Sequence, residues 1–229
     1  MHMISSLDFK IYVIKNTISL IKYCYNINPS LCYEVGTEEA IFSYSSEQLY
    51  ELLYSLKVEL PRKAFNNIKY AVIQSGTSLE ACHNTGRYDN ARLKDMVEVC
   101  KEISVLSKEH NGDFLSLDLI KDKFSSGLDA INIAPEFGQI ETNVIIDIIK
   151  NDKELYDDLF EECLDSNKWR KWVSLDFNPP ANKDELIRIT GHYLNDFPII
   201  KTIKDKYSDI DHMSRIAIKK RLLQLLEVV

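Results

Sequence analysis

Residues 103–138 read ISVLSKEHNGDFLSLDLIKDKFSSGLDAINIAPEFG. A short apolar run from Ile103 to Lys108 ends in the polar cluster Glu109-His110-Asn111-Gly112-Asp113. An amphipathic run, residues 114–125, follows, and a second apolar run, residues 127–134, ends in Pro135-Glu136-Phe137-Gly138. Parallel strands need a crossover of a dozen or more residues, usually helical, so this succession reads as one βαβ unit. Both polar clusters then fall at the carboxyl ends of their strands, the edge where parallel α/β folds bind ligands. The chain is therefore expected to handle a small molecule rather than to serve as bare scaffolding.

Working toward the N-terminus, the same rhythm repeats. Residues 68–73 (IKYAVI) read as a strand ending in Gln74-Ser75-Gly76-Thr77, and residues 31–35 as a shorter strand ending in Gly36-Thr37-Glu38-Glu39. Helical spacing of apolar residues predicts helices over 9–24, 46–56 and 90–101, the second with Ser45 or Ser46 as its N-cap. Residues 82–89 are too polar for an element of their own and read as a long loop. About four strand-then-helix modules result, the pattern of an α/β barrel or a doubly wound sheet. Toward the C-terminus, helices are expected over 141–150 and 153–163. No convincing strand follows, so residues 151–229 read as a helical extension packed on a domain formed by residues 1–150.

Composition narrows the function. An apolar fraction of 45% with only 7 Gly and 6 Pro describes an ordered globular chain. The formal charge of -7 disfavours nucleic acid, whose phosphates need clustered Lys and Arg. Lys219-Lys220-Arg221 lies beside Leu222 and Leu223, as in the last turns of an amphipathic helix. Five cysteines without a CxxC pair fit neither a disulfide framework nor a zinc ribbon and read as free thiols of a reducing cytoplasm. The apolar runs are far shorter than the ~20 residues of a membrane span, and the start lacks the features of a signal peptide. A cytoplasmic protein without membrane or nucleic-acid partners is expected. Neither a P-loop nor a GxGxxG fingerprint occurs, so no nucleotide cofactor is expected, and the 5 histidines show no zinc-site spacing.

If the strands are parallel neighbours, their polar ends converge. Glu38, Glu109, His110 and Asp113 are the candidate catalytic groups, because acid/base chemistry needs carboxylates and an imidazole within reach of one substrate. Only one of Glu109 and His110 can face the interior, since adjacent strand residues point to opposite sides. Gln74, Ser75, Gly76, Thr77, Arg87, Asn132 and Glu136 are candidates for binding the substrate, with backbone N–H groups and hydroxyls suited to an anion such as a sugar phosphate. Glu136 itself would repel a phosphate placed on it. The competing reading makes His110 an ordinary hydrogen-bonded loop residue, Asp113 the N-cap of the run that follows it, and the Gly-containing clusters plain turns.

Four motifs, Tyr33-Glu-Val-Gly-Thr-Glu38, Ala71-Val-Ile-Gln-Ser-Gly76, Lys108-Glu-His-Asn-Gly-Asp-Phe114 and Ile131-Asn-Ile-Ala-Pro135, resemble in order and spacing the second half of the accessory subunit of class II tagatose-bisphosphate aldolase. The resemblance covers about residues 10–150. It implies a (β/α)8 TIM-barrel-like fold of which this chain carries the second half, about four βα units, followed by a helical C-terminal extension. It also implies a role in sugar-phosphate metabolism, and Gly36, Thr37, Glu38, Gln74, Gly76, Glu109, His110 and Asp113 are the matching residues. The family's early strands, with their Gly-Gly-Asp-His stretch, have no counterpart here. Where the family shows Pro/Gly-rich and Gly-Pro-Ala sequences, this chain has Glu39-Ala-Ile-Phe42 and Pro135-Glu-Phe-Gly138.

Three roles follow as expectations. The first is an aldolase-type lyase acting on a phosphorylated sugar. The second is a non-catalytic subunit that stabilises a partner zinc aldolase, and the third a sugar-phosphate isomerase or epimerase using carboxylates and a divalent metal. Because eight strands are needed to fill a barrel's interior, a half barrel calls for a missing N-terminal half, a second copy of itself, or cover by its own C-terminal helices.

Overall fold

A computed structural model describes residues 9–36 and 43–229. The chain forms two compact units. The first comprises residues 1–78, 86–112 and 121–132, and the second residues 79–85, 113–120 and 133–229. The second unit thus holds all of the expected C-terminal extension together with three stretches from before residue 151.

The first unit is built on a parallel sheet of four strands, β1 (Tyr33–Val35), β2 (Ile68–Ile73), β5 (Leu106–Glu109) and β6 (Ala130–Ile131), in the order β1-β2-β5-β6. Spatial order follows chain order without the reversal that defines a doubly wound sheet. Right-handed crossovers between strands laid down in this way carry their helices to one face. That face is covered by α2 (Ser46–Glu59) and α4 (Asn90–Ile103). Leu49, Leu52, Leu53 and Leu56 recur at helical spacing along α2, as do Leu93, Met96, Val97 and Cys100 along α4, and both sets share one apolar cluster with Val35, Ala71 and Ile73. Ser45 and Gln48 close α2 with a capping box, and Asp89 caps α4 by accepting from Arg92 N at 3.1 Å. The N-terminal α1 (Asn16–Ile27) buries Ile18 and Ile21 in the same cluster, and a short α3 (Arg62–Phe65) leads into β2.

The second unit is helical apart from one hairpin. It contains α6 (Pro135–Ile149), α7 (Lys153–Asp165), α8 (Lys183–Thr190), α9 (Pro198–Lys206) and α10 (Ile210–Leu226), around a second apolar cluster that includes Ile145, Ile149, Leu159, Phe160, Leu186, Ile187 and Ile203. The helix α5 (Leu117–Ser125) passes from this unit to the first between Ile120 and Lys121. None of the helices among the described residues is long and apolar enough to cross a membrane.

Three local expectations are corrected. Within residues 82–89, expected to be a loop, His83–Asn84 (β4) pairs antiparallel with Leu79–Glu80 (β3). The strand expected from Ile103 begins at Leu106, because Ile103 closes α4 and Ser104 takes a left-handed conformation at φ 66°. Pro135-Glu136-Phe137-Gly138, expected as the polar end of a strand with a plain turn as the competing reading, is the first turn of α6. Proline at N1 is preorganised for a helix start and loses no hydrogen bond there.

Candidate functional site

Alternation along the strands sorts the side chains at the carboxyl edge of the first unit's sheet. Ser107 and Glu109 of β5 point to the helix-covered face and are fully buried. Lys108 and His110 point to the other, where Leu106 is 47% exposed. On that face His110 Nε2 lies 2.5 Å from Glu34 Oε1, and Lys108 Nζ donates to Glu34 Oε2 at 2.5 Å. Lys108 also stands over the Tyr70 ring of β2, 5.5 Å from its centre. Thus one carboxylate of β1 bridges an ammonium and an imidazole of β5, all partly open to solvent, with side-chain exposures of 30%, 18% and 20%. Burial alone would raise the Glu34 carboxyl, but the hydrogen bonds from Lys108 and His110 outweigh it and hold the group below its ordinary value. Glu34 is therefore a carboxylate at neutral pH, flanked by two groups able to donate protons.

The buried side of the same edge carries a separate network. Lys123 of α5 donates to Glu109 Oε2 at 2.6 Å and to Ser75 Oγ at 2.7 Å, while Ser75 N and Oγ donate to Glu109 Oε1 at 2.9 and 2.5 Å. The Tyr88 ring lies 4.3 Å from the Lys123 ammonium. Neither charged side chain is exposed. Both are paired and hydrogen-bonded, the condition under which buried charge is tolerated. The network ties the ends of β2 and β5 to α5, and so holds the strand carrying Lys108 and His110.

The other sequence-derived candidates divide. Gln74 is buried, and its side-chain oxygen accepts from Tyr44 N at 3.0 Å and from Arg92 at 3.1 Å. Thr77 donates to the His110 carbonyl at 2.8 Å and fixes the residue's backbone. Gly76 has φ +95°, and a Cβ there would stand 1.9 Å from the Arg87 carbonyl oxygen, so only glycine fits this crossing of two chain segments. Arg87 and Asn132 are exposed. Asn132 joins the strand ends through its backbone, accepting from Gly112 N at 2.9 Å and donating to the Glu109 carbonyl at 2.8 Å. Glu38 lies outside the described residues.

Asp113 and Glu136 belong to the second unit. As an alternative to a catalytic role, the sequence suggests Asp113 as the cap of the run that follows it. Its Oδ1 instead accepts from Ala134 N at 2.8 Å and Glu136 N at 2.9 Å, so it caps α6, two elements further on. Glu136 accepts from Phe114 N at 2.8 Å and pairs with Arg221 of α10 at 2.5 Å. Both carboxylates are thus occupied in holding the start of α6. The pairing of Lys108 with Glu34 is a feature that only the fold reveals. The signal for Lys108 was its place two residues before His110 on a strand, which puts both on one face. Among the described residues no group of three His, Cys, Asp or Glu side chains is arranged to hold a metal ion.

The fold and this edge define a parallel α/β protein with an acid/base cluster at the carboxyl ends of its strands. No family model matches the chain, and no curated protein sequence matches it. Solved structures do. A probable tagatose 6 phosphate kinase from Sinorhizobium meliloti is similar with a TM-score of 0.61 at 14% identity, over 86% of this chain and 62% of that one. The fructuronate-tagaturonate epimerase from Cohnella laeviribosi is similar with a TM-score of 0.62 at 12% identity, over 92% of this chain and 50% of that one. The chain therefore shares their fold and spans between half and two thirds of their length.

Proposed function

We propose that the chain is one half of a (β/α)8-barrel-type protein of carbohydrate metabolism, and that Glu34, Lys108 and His110 form the site that receives the sugar. The observation that carries this reading is the convergence of those three side chains, from two strands, at the carboxyl edge of an unreversed parallel sheet and on the face its helices leave. In such folds this edge is where catalytic groups gather. The similar structures bear names that concern six-carbon keto sugars with a phosphate or a carboxylate, so the ligand class is a keto sugar with an anionic group. Lys108 supplies positive charge, and Lys108 and His110 supply hydrogen bonds, for the anion or the carbonyl oxygen. Glu34 supplies a carboxylate for proton transfer beside that carbonyl, the step shared by aldol cleavage and epimerisation.

The test is thermal stabilisation by a panel of tagatose 6-phosphate, fructose 6-phosphate, tagaturonate and fructuronate, because a ligand that binds the native state raises its stability. At least one is expected to raise the melting temperature in the wild type and to lose that effect in Lys108→Ala and His110→Ala. No shift with any of them, or shifts that survive both substitutions, would exclude the reading.

A second reading rests on the resemblance of the four motifs to an accessory subunit: the chain would be a non-catalytic module that stabilises a partner class II aldolase, and activation of that partner would then survive His110→Ala. Stoichiometric zinc or manganese in the purified protein would favour epimerase or isomerase chemistry instead.

A further inference from the structure

The second unit contains a cleft of about 520 Å³, within the size range of small-molecule sites. One wall is a single face of α6, where Glu136, Gln139, Ile140 and Asn143 recur at spacings of three and four. Glu185 and Arg188 of α8 line the opposing side, and Phe114 adds an aromatic surface.

The charges in this lining do not balance. Glu136 is matched by Arg221 at 2.5 Å. Arg188 is matched by Asp184 at 3.6 Å, and its Nε donates to Asn143 Oδ1 at 2.7 Å. The half-buried Glu185 side chain, in the first turn of α8, has neither an ion pair nor a hydrogen bond among the described residues, although Arg188 stands one helical turn away. One carboxylate is thus left without a hydrogen-bonded partner of its own, in a lining that also holds side-chain amides, the Arg188 guanidinium, the His83 imidazole and a ring. The Cys82 thiol also lines the cleft; burial first, and then the Glu185 charge, push it up to about 11 against the opposing charge of Arg188, so it is an inert thiol and not a competing nucleophile.

We propose that this cleft binds a small hydroxylated organic ammonium ion of the amino-sugar type, with its ammonium on Glu185. Its hydroxyls meet Asn143, Gln139 and Arg188, and its C–H face lies over Phe114. A neutral sugar would leave the carboxylate unmatched. An anionic sugar would be repelled by it, which separates this site from the one on the first unit's sheet.

Calorimetric titration of the full chain with glucosamine, glucose and glucose 6-phosphate, at slightly acidic pH where the amine is protonated, tests the proposal. Saturable binding of glucosamine is expected, with glucose weaker by about tenfold or more. Glu185→Gln should abolish the preference. Ile140→Trp, which fills the cleft without touching charge, should abolish binding altogether and guards against a Glu185 variant that fails to fold. Equal binding of glucose, binding unaffected by both substitutions, or no binding of glucosamine up to about 10 mM would overturn it.

Discussion

The fully buried Lys123–Glu109 pair is the most consequential interaction at the scale of single residues. Removing one partner strands the other charge, so Lys123→Met is expected to cost about 3–5 kcal/mol in urea unfolding. The double variant Lys123→Met/Glu109→Leu should recover most of that loss, since an apolar pair leaves no charge behind; a single variant with the wild-type midpoint would show that the pair does not bear on stability. Gly76→Ala is expected to destabilise as well, read as a lower melting temperature, because the Arg87 carbonyl occupies the space of the new methyl. Glu34 titrates in the opposite sense to a buried neutral acid. Its pKa in the folded state is depressed below the ordinary 4.5, so its contribution to stability is present above that value and is lost as pH falls through the folded pKa. Glu34→Gln should therefore flatten the acid limb of a stability profile measured by denaturant titration. At this scale His110 was legible from its residue type. Lys123 was not, because a lysine in an amphipathic run reads as solvent-facing, and only the fold shows that it has a buried carboxylate to meet.

Element by element, strands and helices with strong periodicity were legible. Residues 68–73 are the strand the sequence indicates, and α2 and α4 extend the expected helices by only a few residues. The hairpin of β3 and β4 was not, because two-residue strands offer no period to read. The start of α6 was missed for a different reason. Gly138 and Pro135 resemble turn residues, but the cap that fixes this start comes from Asp113, more than 20 positions earlier. Asp113→Ala is accordingly expected to cost about 1–2 kcal/mol, the range for loss of a helix cap. Asp113→Asn should be tolerated, because an amide oxygen accepts from the same two N–H groups. Burial raises the Asp113 carboxyl, the two backbone donors only partly opposing it. Its ionisation therefore costs stability as pH rises through the folded pKa, and the Asn variant should lose that dependence in the same titration.

For the whole molecule, the chain crosses between its two units five times, and α5 contributes residues to both. A unit assembled from three separate stretches has no single cut that releases it intact. Unfolding is therefore expected to be one transition, with tryptophan fluorescence, which reports Trp169 and Trp172 of the second unit, coinciding with far-UV circular dichroism. Separated midpoints would show that the units melt independently. The unreversed strand order was only half legible, since the sequence allows a barrel-type and a doubly wound arrangement alike, and the choice is made by which strands meet. The network of Lys123, Glu109 and Ser75 bears on that choice. Were β5 to slide by one position against its neighbours, every side chain would swap faces, Glu109 would turn away, and the buried ammonium would lose its carboxylate. The buried pair is thus expected to penalise misthreaded compact forms that hydrophobic burial by itself would accept.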